Sequence, residues 1–404
     1  MSSNTQSTTG RPEAAGADLS RLASFPFAAA ARTRRLPLDA YAGLLRCLAT
    51  VYEALERAAD GPAASVLSQL PPSELRRLRL LSDDLGAFAG RELASMPEAE
   101  LRAEVLAERI RLWAQHSPSS LPGVVAVFGG SAVALAAPPK QIAACFALKE
   151  GTGTAFIRRA EQIRTAETPA DDAATHAAAA LLAIVAALHP ADTRSLNQLA
   201  RVINPQAGNY AIPDDLIEIR AALRAGARTW EEIPYYGLRF AERGREWTWS
   251  DSCWLATLAK LEQKAIDAQI AWVGRLLSSR GMPQLLLEEH LYALAEELSA
   301  ARPSERGRYA RLSVAAGKLA EQRRAYIADD DMAAIAGAFD ALDLGGPPDA
   351  RLGSVLVAAV ADEAAGIPQA VESVTGWFAE PQRFPPALVD AVHATVAAAR
   401  AAVR

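Results

Sequence analysis

Leu38-Asp-Ala-Tyr41-Ala-Gly-Leu-Leu45-Arg-Cys-Leu48-Ala-Thr-Val-Tyr52-Glu-Ala-Leu55-Glu56 is the stretch whose reading decides the fold. Leu38, Tyr41, Leu45, Leu48, Tyr52 and Leu55 recur at steps of three and four residues. That is the period of one helix face, not of a strand. Pro37 suits a first helical turn. Gly61-Pro62 follow where the pattern stops. The spacing predicts an amphipathic helix with one buried side.

The same period recurs on either side. Pro71-Pro72-Ser73 opens a helix carrying Leu75, Leu78 and Leu81. Helices are expected near 97–115, 122–137, 139–149, 155–166 and 171–188, with Pro190 closing the region. The turn-rich Asn204-Pro205-Gln206-Ala207-Gly208-Asn209-Tyr210 places a junction within 190–212. Beyond it, helices are expected near 213–225, 228–243, 250–280 (one helix or two), 283–300, 303–327 and 328–343. After the break Gly345-Gly346-Pro347-Pro348 come 349–364, 367–379 and 384–402. The expectation is an all-α chain. It divides into a tail at 1–18, a helical domain at 19–195, a second at 205–327, and a C-terminal extension at 328–404.

Composition agrees. Half of the 404 residues are apolar, and only 6% are aromatic, which argues for helices with sizeable cores and against a large sheet. The formal net charge of −5 gives no global attraction to nucleic acid or anionic membrane. Cys47, Cys145 and Cys253 are scattered, which suits a reducing compartment and offers no zinc spacing. The Ser/Thr/Gly-rich amino terminus lacks a signal-peptide core. The uncharged stretch 112–139 holds several prolines and glycines. It reads as a buried central helix rather than a membrane span. A cytoplasmic protein is expected.

The search for chemistry excludes more than it finds. The five histidines are His116, His176, His189, His290 and His393, and none falls in a His-Glu-x-x-His or Glu-x-x-His pattern. A bundle di-iron site needs two such histidine motifs. No Gly-x-Ser-x-Gly elbow is present.

Three stretches carry a resemblance. Leu48-Ala-Thr-Val-Tyr52-Glu-Ala54-Leu55-Glu56 is the first, and Leu70-Pro-Pro-Ser-Glu74-Leu75 through Asp83-Asp84-Leu85 the second. The third is Phe128-Gly129-Gly130-Ser131-Ala132-Val133-Ala134-Leu135. In order and spacing they resemble heme oxygenases. The resemblance implies a multi-helical domain around a tetrapyrrole, heme or bilin. It makes Tyr52, Gly129, Gly130 and Ser131 pocket residues, and Arg32 and Arg35 (with Arg34) partners for propionates. Close helix packing is the competing reading of the two glycines, and a solvated helix end that of the arginines. The family's iron-binding histidine would fall near Leu19, and the chain has no histidine before His116. Leucine supplies no donor to iron. Family glycines on the distal helix correspond to Ala134 and Leu135, and a leucine side chain is expected to enter space that glycine leaves open.

The second half carries another resemblance. Tyr235-Tyr236 leads to Trp247, Trp249 and Trp254, with Ser250 or Asp251 suited to cap a helix start. Ile266, Ile270, Val273 and Leu277 form a stripe, and Leu287, Leu291, Leu294 and Leu298 another. Over 205–327 the order of helices resembles globins, in particular the phycobiliprotein-related branch. Lys264-Ala265 stands where that branch attaches its chromophore through cysteine. The resemblance implies His290 as an iron ligand, with Gln269 on the distal side and Trp254 against a flat ligand. An edge histidine bonded to a neighbour, and a tryptophan cluster in core or interface, are the competing readings.

Three functions follow: a tetrapyrrole-binding protein without catalysis, an oxidoreductase degrading heme to biliverdin through an unusual ligand, or a ligand-free helical scaffold. Expected partners are a tetrapyrrole, a second copy of the chain, or a protein of bilin metabolism.

Overall fold

The structure, a computed structural model, describes residues 18–149, 151–163, 171–188, 194–342, 351–380 and 383–404. The expected tail lies outside the described residues except for Asp18. His189-Pro190 and the break at Gly345–Pro348 lie outside them too. Every regular element among the described residues is helical; the protein is all-α. The chain divides into two compact units, Met1–Ser195 and Leu196–Arg404.

In the first unit the longest helices are α1 (Leu38–Ala59), α2 (Pro97–His116) and α3 (Asp172–Ala187). α1 and α3 both pack against α2. Tyr41, Leu44, Leu48, Tyr52 and Leu55 are buried on α1, so the opening stripe faces the core. The expected central helix over 122–137 is instead two pieces, Leu121–Gly129 and Ser131–Ala136. Gly130 between them is extended (φ −88°, ψ −178°). A bend frees carbonyls from the helical ladder, and the Arg77 Nη1 donates to the Gly129 oxygen at 2.9 Å. Pro118–Ala136 is long and apolar enough to cross a membrane (mean hydropathy 1.6), yet 61% of its apolar window is buried inside the protein.

The second unit is built on α4 (Leu216–Glu232), α5 (Tyr235–Leu258), α6 (Gln263–Ser278), α7 (Gln284–Ala301) and α8 (Arg306–Tyr326). α7 is central and packs on both α4 and α8. The expected breaks near 226 and 244–249 are absent. Gly226 lies inside α4, because a Cβ there would stand 3.0 Å from Trp249 Cδ1 and 3.1 Å from Ser252 Oγ. The glycine serves close packing of α4 on α5 rather than a helix end. Ser250 and Asp251 lie inside α5 and cap nothing. The break falls at Ile233-Pro234, where proline has no N–H to continue a helix.

The expected extension belongs to this unit. α9 (Asp329–Asp340), α10 (Leu352–Ala364), α11 (Ala370–Phe378) and α12 (Pro386–Ala401) share one core with Trp230, Ile233, Tyr235, Leu285 and Leu286. Asp362 of α10 stitches it in place. Its carboxylate accepts from Ser278 Oγ (2.6 Å), Gln284 N (2.8 Å) and Gln284 Nε2 (3.0 Å).

Candidate functional site

Of the residues expected to form a tetrapyrrole pocket in the first unit, Tyr52 and Gly129 meet, but around protein atoms. Tyr52 is buried, with its ring edge-on to Phe156 at 5.4 Å between centroids. Its hydroxyl donates to the Glu74 carbonyl at 3.4 Å. A Cβ on Gly129 would lie 3.0 Å from that hydroxyl and 3.5 Å from Arg77 Nη2. Arg77 itself is fully buried. Its Nε donates to the Ser73 carbonyl at 3.0 Å, and its guanidinium lies 5.4 Å from the Phe156 ring centroid. Desolvation holds its pKa below the ordinary value. The space beside Gly129 is thus taken by a hydroxyl and a guanidinium. Close packing, the competing reading, describes this glycine.

The other first-unit candidates are dispersed. Gly130 makes the bend, and Ser131, half-buried, opens the helix after it. Arg32 and Arg35 are exposed; Arg32 donates to the Ala23 carbonyl. Leu19, where the resemblance would put an iron-binding histidine, packs against the core. Leu135 is 42% exposed and does not enter the interior, contrary to expectation. Asp84, from the second resembling stretch, caps the helix Ala155–Gln162 by accepting from Ala155 N (2.8 Å) and Phe156 N (2.9 Å).

In the second unit His290 is buried at the meeting of α4, α5 and α7. Nδ1 lies 3.0 Å from Thr229 Oγ1, and Nε2 lies 3.0 Å from Ser252 Oγ. Both ring nitrogens are engaged by hydroxyls on neighbouring helices, so neither presents a lone pair to a metal. Burial pushes the imidazole down to about 4, which makes it neutral at pH 7. Gln269 and Trp272 are exposed, so the expected distal side has no glutamine turned inward. Trp254 is half-buried and Trp249 fully buried. Among the described residues, no group of three or more His, Cys, Asp or Glu side chains is placed to hold a metal. A heme does not fit these residues: Leu19 offers no donor, His290 has both nitrogens occupied, and Gly129 is covered.

What the packing does create is a cavity of about 220 Å³ beside His290. Trp230, Tyr236, Phe240 and Trp247 supply aromatic walls, and Leu255, Leu277, Met282 and Leu287 aliphatic ones. Thr248, Asp251, Arg280 and His290 supply the polar groups. Tyr210 donates to Asp251 Oδ1 at 3.2 Å. Burial raises the Asp251 carboxyl to about 6, with Tyr210 and the Arg280 charge pulling the other way. Arg280 is exposed and stands at the rim. Small-molecule sites combine such walls with a few converging polar groups. A pocket of this volume falls below the roughly 300–1,000 Å³ of drug-sized ligand sites, so it suits a ligand smaller than a tetrapyrrole.

α5 shapes this cavity by bending. Ala241 has φ 50° and ψ −163°, a backbone region that favours glycine. Gly244 follows, where a Cβ would come within 3.3 Å of the Trp230 ring. Sequence reading missed Trp230, Asp251 in this role, and Arg280. They lie between positions 230 and 280, and no spacing rule connects them. No protein-family model, no curated protein and no solved structure matches the chain.

Proposed function

We propose that the protein binds a compact, flat organic molecule in the second unit. The observation that carries this reading is the cavity of about 220 Å³ with four aromatic side chains and a carboxylate and guanidinium among its lining groups. Apolar walls supply burial energy, and the few polar groups fix orientation. The tetrapyrrole class suggested by the resemblances is the rival occupant. It requires the cavity to widen severalfold.

Trp230 and Trp247 report on entry directly, because ligand contact alters indole emission. Tryptophan fluorescence and melting temperature, followed during titration with a panel of mono- and bicyclic aromatics, hemin and biliverdin, test the reading. Binding of one- or two-ring compounds is expected, with the signal lost in Leu255→Trp, which fills the cavity. Absence of binding across the small aromatics sinks the proposal. Binding of hemin alone transfers the function to the tetrapyrrole class. If Leu255→Trp fails to fold, Leu277→Phe serves as the blocking variant.

A further inference from the structure

The charges around the cavity narrow the ligand class, and this step rests on the binding reading above. Four aromatic walls could in principle form a cage for a cation, since ring faces attract ammonium groups. Here one of these rings, Trp230, is already committed. The Arg245 guanidinium lies 4.8 Å from the Trp230 centroid. Tyr236 stacks on Trp230 with centroids 5.7 Å apart and planes at 15°. The Trp230 N–H is used as well, donating to Thr248 Oγ1 at 2.9 Å. An incoming ammonium would meet a fixed guanidinium beside the ring it needs.

Two groups remain open. Among the described residues only Tyr210 donates to Asp251, and it uses Oδ1, so Oδ2 is free to accept. Arg280 lends its backbone carbonyl to Arg239; among the described residues its side chain makes no hydrogen bond or salt bridge, and its charge acts on Asp251. It lines the cavity and is exposed. A guanidinium at a rim matches a carboxylate with two parallel hydrogen bonds. A half-buried carboxylate with an unused oxygen asks for an N–H or O–H donor.

We propose that the cavity takes a small aromatic carboxylic acid with an N–H or O–H donor at the end away from its carboxylate. The acid group pairs with Arg280 at the rim, the donor reaches Asp251 Oδ2, and the ring lies among Tyr236, Phe240 and Trp247. The binding step is non-covalent and involves no group transfer.

Indole-3-acetate is a suitable probe, since its ring N–H and its carboxylate-bearing arm diverge from opposite sides of the five-membered ring. Titration calorimetry of the full chain compares it with indole-3-acetamide, 1-methylindole-3-acetate and tryptamine. The acid is expected to bind at least tenfold more tightly than the amide or the amine, and severalfold more tightly than its N-methyl analogue. Arg280→Gln should erase the preference for acid over amide, by weakening binding of the acid at least tenfold. Asp251→Asn should shrink the gap between the N–H and N-methyl compounds. Equal or better binding of tryptamine or the amide overturns the charge assignment and leaves the cavity reading standing. If none of these indoles binds but other small aromatics do, the assignment also fails. Silence from every small aromatic defeats the binding reading itself.

Discussion

His290 shows how one side chain can be singled out in sequence while its role stays open between two readings. Its position at the edge of a leucine stripe marks it as partly inward-facing, and both a metal ligand and a bonded edge histidine fit that spacing. The choice depends on Thr229 and Ser252, which lie 61 and 38 residues away. Nothing in local sequence reveals them. A neutral ring carries one N–H, so one hydroxyl accepts from the imidazole and the other donates to it. The accepting hydroxyl keeps its own proton on its helix, as in Thr229 Oγ1 to Ala225 O (2.8 Å) or Ser252 Oγ to Thr248 O (2.6 Å). Because the folded-state pKa is depressed from 6.5 to about 4, the unfolded chain takes up a proton between those values and the folded one does not. His290 therefore contributes stability that is present above pH 6.5 and lost as pH falls toward 4. A shift of this size is worth up to about 3 kcal/mol. In His290→Gln, melting of the second unit at pH 7 should be destabilised by about 1–3 kcal/mol through lost hydrogen bonds. The gap between wild type and variant should narrow at pH 4.5. A gap independent of pH would falsify the neutral-imidazole assignment. Tyr52 and Gly129 illustrate a different limit: they lie side by side, but Arg77, with no signature in the sequence, takes up further space beside Gly129.

At the level of elements, apolar periodicity locates helices better than it locates their ends. The α1, α2 and α3 stretches follow their expected spans closely, because each repeats its apolar face over several turns. α4 and α5 do not, since glycine has two meanings. Gly226 looks like a terminator but is a contact point under Trp249 and Ser252. α5 continues through a region rich in charge and tryptophan where no regular stripe survives, and it bends at Ala241. The bend has a measurable signature. Glycine normally destabilises an exposed helix interior by roughly 0.5–1 kcal/mol relative to alanine. Ala241 is exposed, yet its positive φ places it where an L side chain is strained by about 1–3 kcal/mol. Ala241→Gly should consequently raise the melting temperature of the second unit, with a gain of about 1 kcal/mol. Ala241→Val should lower it. Destabilisation by glycine, as in a regular helix, would show that α5 runs straight and that Phe240 does not turn toward the cavity.

For the whole molecule, composition and period sufficed to identify an all-α chain, and the chain divides into compact units at Ser195/Leu196. Composition and period left open whether the helices beyond residue 328 pack on the second domain or on a partner; α9, α10, α11 and α12 share a core with Trp230, Tyr235 and Leu286. Tertiary burial of Val355, Leu356, Val357 and Val360 on α10 decides the matter, since a nearly continuous apolar surface of that kind needs partners on several sides. A first core cluster is drawn from residues between Leu22 and Leu188, and another from residues between Trp230 and Ala399. Units of 195 and 209 residues (404 minus 195) are each large enough to bury a self-sufficient core. Residues 18–195 and 196–404, produced as separate chains, should each give cooperative thermal unfolding. Their far-UV circular dichroism should sum to that of the intact protein. Truncating the second piece after residue 342 should instead abolish its cooperative transition, because it strips α10 and α12 from the core that Leu285 and Leu286 join. A truncated piece that melts as sharply as the full second unit would restore the C-terminal helices to the status of an appendage.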